Sequence, residues 1–491
     1  MSTDDSSQPQ SPPRVGRRQF LRGIAIGTGA SLLAACGASN PAAAPTNAPG
    51  SAPTAATTAT DAPAAVAPTA ATAPVATSAP AVTKSVTLTL MQNKGEFSDE
   101  ELKQFTDANP GITVERLDQD NTRLKAMLAA GSPPDMIRSG GGQVPPLILQ
   151  NALLDLTPYM EQSSLIKIDD LAPAVGYFRW DGTELGKGGI YAMHKDWSPD
   201  FSLFVNSAAF EEAGVALPST TEALKYQDIR AMAEKLTKRS GNRIERFGFD
   251  FNDGIANLNR ILLEQDQHLI TPDFTKMVLK DNPLAVEVLR FWFEVAQENV
   301  SYSPLNPSAS WSGEDYVKGG LAAAHAGFWF GNFVQTADGS TAKDTTVMLP
   351  APTWSGKRLN PCAGGACTAI ASATKNPDAA WKLFEFYNGG EPAKTRAKSG
   401  GGVPALKSLY SLIPSETPFQ QQTLAVLQGE LAHSDVIFRN SPYYDDGVFG
   451  KSYSTNLERA MRKEIAFEEM VENIENDVNQ AIADGRSAAG V

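Results

Sequence analysis

Four histidines, three cysteines and 55 acidic residues are the groups in this 491-residue chain that could move a proton or hold a metal. Their spacing supports little of that chemistry. His194, His268, His325 and His433 stand apart, with no HExxH pair to seat zinc on one helical face. No G-x-S-x-G elbow exposes a serine nucleophile. The stretch DDGVFGKS ends like a phosphate-binding loop, but Asp445 stands where a glycine must let backbone N–H groups reach a phosphate. Two carboxylates suffice for glycoside hydrolysis, so an exported glycosidase stays open as one alternative. Cys362 and Cys367 either pair as a disulfide or sit as two small unpaired core residues. Nothing at metal spacing supplies the remaining ligands of a zinc site.

The chain begins with an address. Arg17-Arg18, an apolar run over 23–35 and then Cys36 follow the order of a secretory signal. At 1.5 Å per residue that run spans roughly 20 Å as a helix, too short for a hydrocarbon core of about 30 Å. Arg17-Arg18-Gln19-Phe20-Leu21 resembles a twin-arginine export signal, the alternative being an ordinary signal with paired arginines. Leu33-Ala34-Ala35-Cys36 resembles a bacterial lipobox, which makes Cys36 the lipidated first residue of the mature chain. Several acyl chains there would hold the protein on a membrane where one would anchor it only marginally. Residues 37–83 are mostly Ala, Pro, Thr, Ser and Val, with Asp61 the single charge. Such a segment cannot bury a core and reads as a disordered tether. Its reach is about 40 Å as a coil and roughly 140 Å fully extended.

The remaining residues, from 84 onward, suffice for two domains. Hydrophobic content of 42% supplies a core, and a net charge of −13 argues against nucleic acid as a partner. Val86 to Met91 reads as a buried strand. Ser98-Asp99-Glu100-Glu101 is a capping box opening a helix, which Asn109-Pro110-Gly111 stops. Ile112-Thr113-Val114 is a second strand, Leu124, Met127 and Leu128 mark a helix ending at Gly131, and Met136-Ile137 is a third strand. This β-α-β-α-β order predicts a mostly parallel sheet covered by helices. Further on, a second capping box at 219–222 predicts a helix carrying Ile229, Met232, Ala233 and Leu236 inward. Phe247-Gly248-Phe249 reads as a strand. Asn376-Pro377 opens another helix, and 457–482 reads as one long amphipathic helix.

From residue 84 onward the chain resembles the extracellular solute-binding proteins of bacterial ABC importers, the group that includes maltose- and other sugar-binding proteins. The resemblance is carried by FTDANPGITVER, LKAMLAAGSPPDMIRSGGG, GGIYAMHKDWSPDFSLFVNSAAFEEAGVALPSTTEAL, YVKGGLAAAHAGFWF, ASATKNPDAAWKLFEFY and GGVPALKSL, in that order. The departures are local. His325 and its alanines replace the usual Met-containing strand, and Ser219-Thr220-Thr221 lacks a customary Trp. The resemblance implies a two-lobed α/β fold, with mixed sheets flanked by helices and a ligand cleft and hinge between the lobes. Residues 84–195 and 350–400 would form lobe one, and residues 196–349 and 401–491 lobe two. It also implies a monomer without cofactor that hands a small-molecule solute to membrane permease subunits.

By position in the family pattern, the cleft residues are expected to be Gln92, Asn93, Glu96, Ser139, Gly140, Gln143, Asp196, Trp197, Asp250, Asn252, Asp253, Trp311, Trp329, Gly364, Gly365, Tyr443 and Tyr444. A sugar needs carboxylates and amides around its edge and an aromatic plane beneath its face, and these are such residues. Trp329 either stacks on the ligand or belongs to the core, and Trp197 lies either at the cleft rim or exposed near the hinge. Gly364 and Gly365 either let backbone N–H groups approach the ligand or form a plain turn. A non-sugar solute such as a peptide, polyamine or phosphodiester remains the other binding alternative.

Overall fold

The computed structural model describes residues 85–490. Arg17, Arg18, Cys36 and the whole Ala/Pro/Thr-rich segment lie outside the described residues.

The first lobe is built on a five-stranded sheet. Val86–Met91 runs parallel to Ile112–Leu117 on one side and to Met136–Gly140 on the other. Alternation places Leu88 and Leu90 in the core, fully buried. The helix Asp99–Ala108 starts at the expected box: Ser98 Oγ accepts from the Glu101 N–H, and the Glu101 carboxylate accepts from the Ser98 N–H. Asp120 caps the helix Asn121–Ala129 in the same way. Ala366–Ile370 then joins antiparallel to Met136–Gly140, and Ala192–Met193 closes the sheet. The sheet is therefore mixed, parallel only through its first three strands.

The second lobe centres on Ser202–Asn206, flanked antiparallel by Ala323–Ala326 and Thr346–Leu349. All five residues of the central strand are buried, as a strand covered on both faces requires. Trp354 packs on Tyr226 and Phe291 of this lobe, whereas Leu406 pairs with Leu171 and joins the first lobe's core.

Three elements differ from the sequence reading. Ser219 Oγ does accept from the Thr221 and Glu222 N–H groups, but only as a turn. The helix begins at Tyr226, because Leu224 and Lys225 are held extended beside Thr353. Phe247 to Phe249 bonds to Gly320, Ala322 and Val300 without forming a named strand. The expected long C-terminal helix is two, Gly447–Met461 and Phe467–Ala489, broken where Lys463 takes a left-handed φ of 60°.

The chain crosses between the lobes through residues 195–201 and 359–365, and again between Leu406 and the helix Pro418–Leu431, which packs on Thr346–Leu349. Asn360, fully buried, ties the first two passages together. Its Oδ1 accepts from the Phe201 N–H at 2.7 Å, and its Nδ2 donates to Ser202 Oγ and to Glu430. Beside it the Asp200 N–H donates to Pro361 O, and the Ala363 N–H donates to the Asp200 carboxylate.

Cys362 and Cys367 are buried and unpaired, so the disulfide alternative gives way to that of two core thiols. Cys367 Sγ donates to Ser139 O at 3.5 Å, while Cys362 Sγ lies 4.0 Å from His194 Nε2. Burial pushes the Cys367 thiol up to about 12. Among the described residues no helix is long and apolar enough to cross a membrane, and no group of His, Cys, Asp and Glu could hold a metal.

Candidate functional site

Two cavities meet at Trp329. The first, about 420 Å³, lies where the carboxyl ends of the first sheet face the crossing passage at 195–200. Gln92 and Glu96 follow the first strand, Arg138 sits on Met136–Gly140, and Arg396 comes from the helix Glu391–Lys398. The charged groups are clamped in pairs. Arg138 Nε and Nη2 donate to the two Glu96 oxygens at 2.7 and 2.6 Å. Arg396 grips Asp196 likewise, at 3.1 and 3.3 Å. Such forked pairs hold both partners in one orientation. Lys195 Nζ donates to Glu96 O at 2.7 Å and lies 4.3 Å above the Tyr387 ring, and burial holds its pKa below the usual lysine value.

Two glycines make this arrangement possible by close approach. A Cβ on Gly402 would meet Asp196 Oδ2 at 2.2 Å, and one on Gly327 would meet Asp200 Oδ1 at 2.4 Å. The Asp200 carboxyl is pushed up to about 6, chiefly by burial, against the lowering effect of the Ala363 N–H. Gln92 Nε2 and Ser198 Oγ line the cavity and are buried without a partner. Both are ready to bond a polar guest, since a buried polar group left unmatched costs about 1–3 kcal/mol.

The second cavity, about 610 Å³, belongs to the other lobe. Asp250, Asn252 and Asp253 form one wall, Trp311 and Trp329 another, and His325 lines it from the strand Ala323–Ala326. Tyr453 Oη donates to Asp253 at 2.9 Å. Burial, and then the nearby Asp250 charge, raise the Asp253 pKa to about 6. The Trp311 and Trp329 rings lie 6.1 Å apart and 31° from parallel. Trp329 opens the helix Trp329–Thr336 and is half-buried, sharing a surface with both cavities.

The expected residues thus divide. Gln92, Glu96, Asp196, Trp197, Trp329 and Gly365 line the first cavity, and Asp250, Asn252, Asp253 and Trp311 join Trp329 at the second. Ser139, Gln143, Tyr443 and Tyr444 line a third cavity that shares no residue with these two. Asn93, Gly140 and Gly364 line none of the three. Gly364, at φ 89°, spends its freedom on protein: a Cβ on Gly141 would meet Gly364 O at 1.8 Å. Trp197 is neither exposed nor at a rim. It is buried in a short strand paired with Val403–Pro404.

The sequence profile of bacterial extracellular solute-binding proteins matches residues 101–423. This chain belongs to that family. Membership places the solute-binding protein outside the cytoplasm. No curated protein matches its sequence. Solved structures share its fold at low identity. An ABC substrate-binding protein from Listeria monocytogenes, in complex with cycloalternan, has a TM-score of 0.68 at 20% identity, covering 82% of this chain and 99% of its own. A maltose/maltodextrin-binding domain from Bdellovibrio bacteriovorus, bound to maltotriose, gives 0.63 at 14%, covering 81% and 100%. A solute-binding protein from Agrobacterium vitis with D-mannitol gives 0.62 at 18%, covering 82% and 99%. These are two-lobed binding proteins, and the present chain shares that architecture.

Sequence reasoning missed Arg138, Lys195, Tyr387 and Arg396 of the solute-binding protein's first cavity. Arg138 abuts an expected cleft loop and was within reach of the motif. Arg396 gave no signal, because a basic residue in the last turn of a helix reads as a solvated end.

Proposed function

We propose that this protein captures a sugar in the cleft at Trp329 and delivers it to the permease of an ABC importer. The observation that carries the reading is a half-buried tryptophan shared by two cavities, with fixed carboxylates, guanidinium groups and unpartnered polar atoms around its edges. A sugar presents an apolar C–H face to such a ring, and hydroxyls that both donate and accept to such a rim. The first cavity sets three cationic side chains against three carboxylates, which suits an uncharged polyol better than an anion. Binding proteins of this fold carry cycloalternan, maltotriose and D-mannitol.

The protein binds without turnover and works as a monomer on a lipid anchor at Cys36, exported through the Arg17-Arg18 signal. The lipobox and the tether after it support the anchor. Replacing Cys36 by Ala should move the protein from the detergent phase to the aqueous phase, and replacing Arg17-Arg18 by lysines should block export. Titration calorimetry across sugars, peptides and polyamines tests the ligand class. Binding of saccharides with no product on chromatography is the expected result. Steady product release would establish a glycosidase instead.

A further inference from the structure

We infer that the second cavity receives the ammonium group of an amino sugar, held by Asp250, Asp253 and His325 against the faces of Trp311 and Trp329. This rests on the sugar reading and narrows it to a class.

The first argument is charge. The cavity is lined by two carboxylates and by no lysine or arginine, unlike its neighbour, where Glu96 and Asp196 are each paired with an arginine. Asp253 already has its hydrogen bond from Tyr453, yet its pKa stays raised by burial and by the Asp250 charge. A cation between the two carboxylates relieves that repulsion.

The second argument is a hydrogen-bond account of His325, which is 7% exposed and has no partner at Nδ1. Its Nε2 lies 3.3 Å from Tyr226 Oη. Arg260 Nη2 donates to Tyr226 Oη and Arg260 Nε donates to Asn257 Oδ1. Asn257 Nδ2 has two protons and three acceptors in reach, Tyr226 Oη at 3.0 Å, Phe251 O at 3.2 Å and Asn252 O at 3.1 Å; given to the two carbonyls, the protons leave Tyr226 Oη to accept elsewhere. Tyr226 Oη then gives its own proton to Asn257 Oδ1 at 3.1 Å and accepts from His325 Nε2–H. In this assignment each donor proton is used once, Tyr226 Oη and Asn257 Oδ1 each accept twice, and the neutral imidazole keeps its lone pair on Nδ1. The imidazole stays neutral because burial, with Arg260 close by, lowers its pKa to about 3. With its protons so assigned, His325 Nδ1 is one more acceptor beside two carboxylates, buried and without a partner.

Asn252, Tyr302 and several serines of the lining can also donate, but the wall's formal charge is wholly negative, and that asks for a cation. An ammonium carries three donors and no acceptor, and tryptophan faces attract it further. Trp311 is 36% exposed and tilted over Trp329, so the aromatic surface is available. A neutral hydroxyl would satisfy one acceptor at a time and would leave the paired charges uncompensated.

The test is calorimetry on matched pairs: glucosamine with glucose, the β-1,4-linked glucosamine disaccharide with cellobiose and with its N-acetylated form, and spermidine alone. The amine should bind about tenfold or more tighter than its neutral partner. That ratio should fall to about one in Asp253→Asn; if that variant melts early, Asp250→Asn decides in its place. Equal binding of amine and neutral members, or a ratio that survives both variants, overturns the inference while leaving the sugar reading intact. Binding of spermidine with no saccharide bound, or no binding at all, removes both.

Discussion

The two cavities that meet at Trp329 treat their carboxylates differently, with Asp200 of the first, which has no cation beside it, the exception. In the first, Glu96 and Asp196 are each gripped by a forked arginine before any ligand arrives. In the second, Asp250 and Asp253 have only neutral donors and each other. Preformed pairs give orientation and little net attraction for a charged guest, because their charge is already spent. Unpaired carboxylates keep theirs, at a cost in stability. The difference teaches that one cleft can be rigid where it reads shape and electrically unfinished where it reads charge.

The comparison breaks hardest at Arg260, the fully buried cation behind His325. It pairs with Glu264 at 3.0 Å and reaches Pro352 O and Leu359 O. Arg260→Met should leave Glu264 buried and unpaired, costing about 3–5 kcal/mol of stability by denaturant titration. Next in size is Trp329, the residue common to both cavities. Its replacement by Ala should remove roughly 1.5–3 kcal/mol of ligand burial, a loss of about one to two orders of magnitude in affinity. A large drop in melting temperature with unchanged affinity in the folded protein would mark Trp329 as core instead.

A smaller effect, common to both cavities, depends on pH. Asp200 and Asp253 both reach about 6 in the folded state, from a starting value of 3.8, with burial the leading cause. Their folded pKa lies above the unfolded one, so the folded state holds more protons between the two values. Stability should therefore fall as pH rises from about 4 to 6 and level off above. Asp200→Asn and Asp253→Asn should each flatten that slope by up to about 1.4 kcal/mol per pH unit. The smallest effect belongs to the third cavity, where Lys125 meets Asp445 at 3.1 Å with its side chain 68% exposed. Lys125→Ala should cost about 0.5 kcal/mol or less and leave ligand affinity unchanged.

Most of the first lobe's start was legible because local rules decide it. The Ser98–Glu101 box, the Asp120-capped helix and the strands at 86, 112 and 136 all follow from capping and periodicity. Legibility failed where a distant segment overrules the local one. Thr353 keeps Lys225 extended and delays a helix that Ser219 seemed to start. Lys463 turns left-handed between two amphipathic runs whose period alone reads as continuous. In the site, Trp329 and Asp253, expected from the family pattern, line cavities. Arg396 was not readable, because its partner Asp196 lies 200 residues away in sequence. His325 drew notice only as a departure from the family's strand, and its role depends on Tyr226 and Arg260 behind it.

Asn360 has a consequence for motion. Because it bonds Phe201, Ser202 and Glu430 at once, and Asp200 bonds Pro361 and Ala363 alongside, these two passages between the lobes cannot flex independently. Separate linkers would allow the lobes to swing, slide and twist, each freedom lost on closure at an entropic cost. Stitching two of the three passages together removes part of that freedom and favours a rotation that opens or shuts the cleft. Asp200 belongs to that stitch and also faces the first cavity. A guest touching its carboxylate therefore presses on the axle itself.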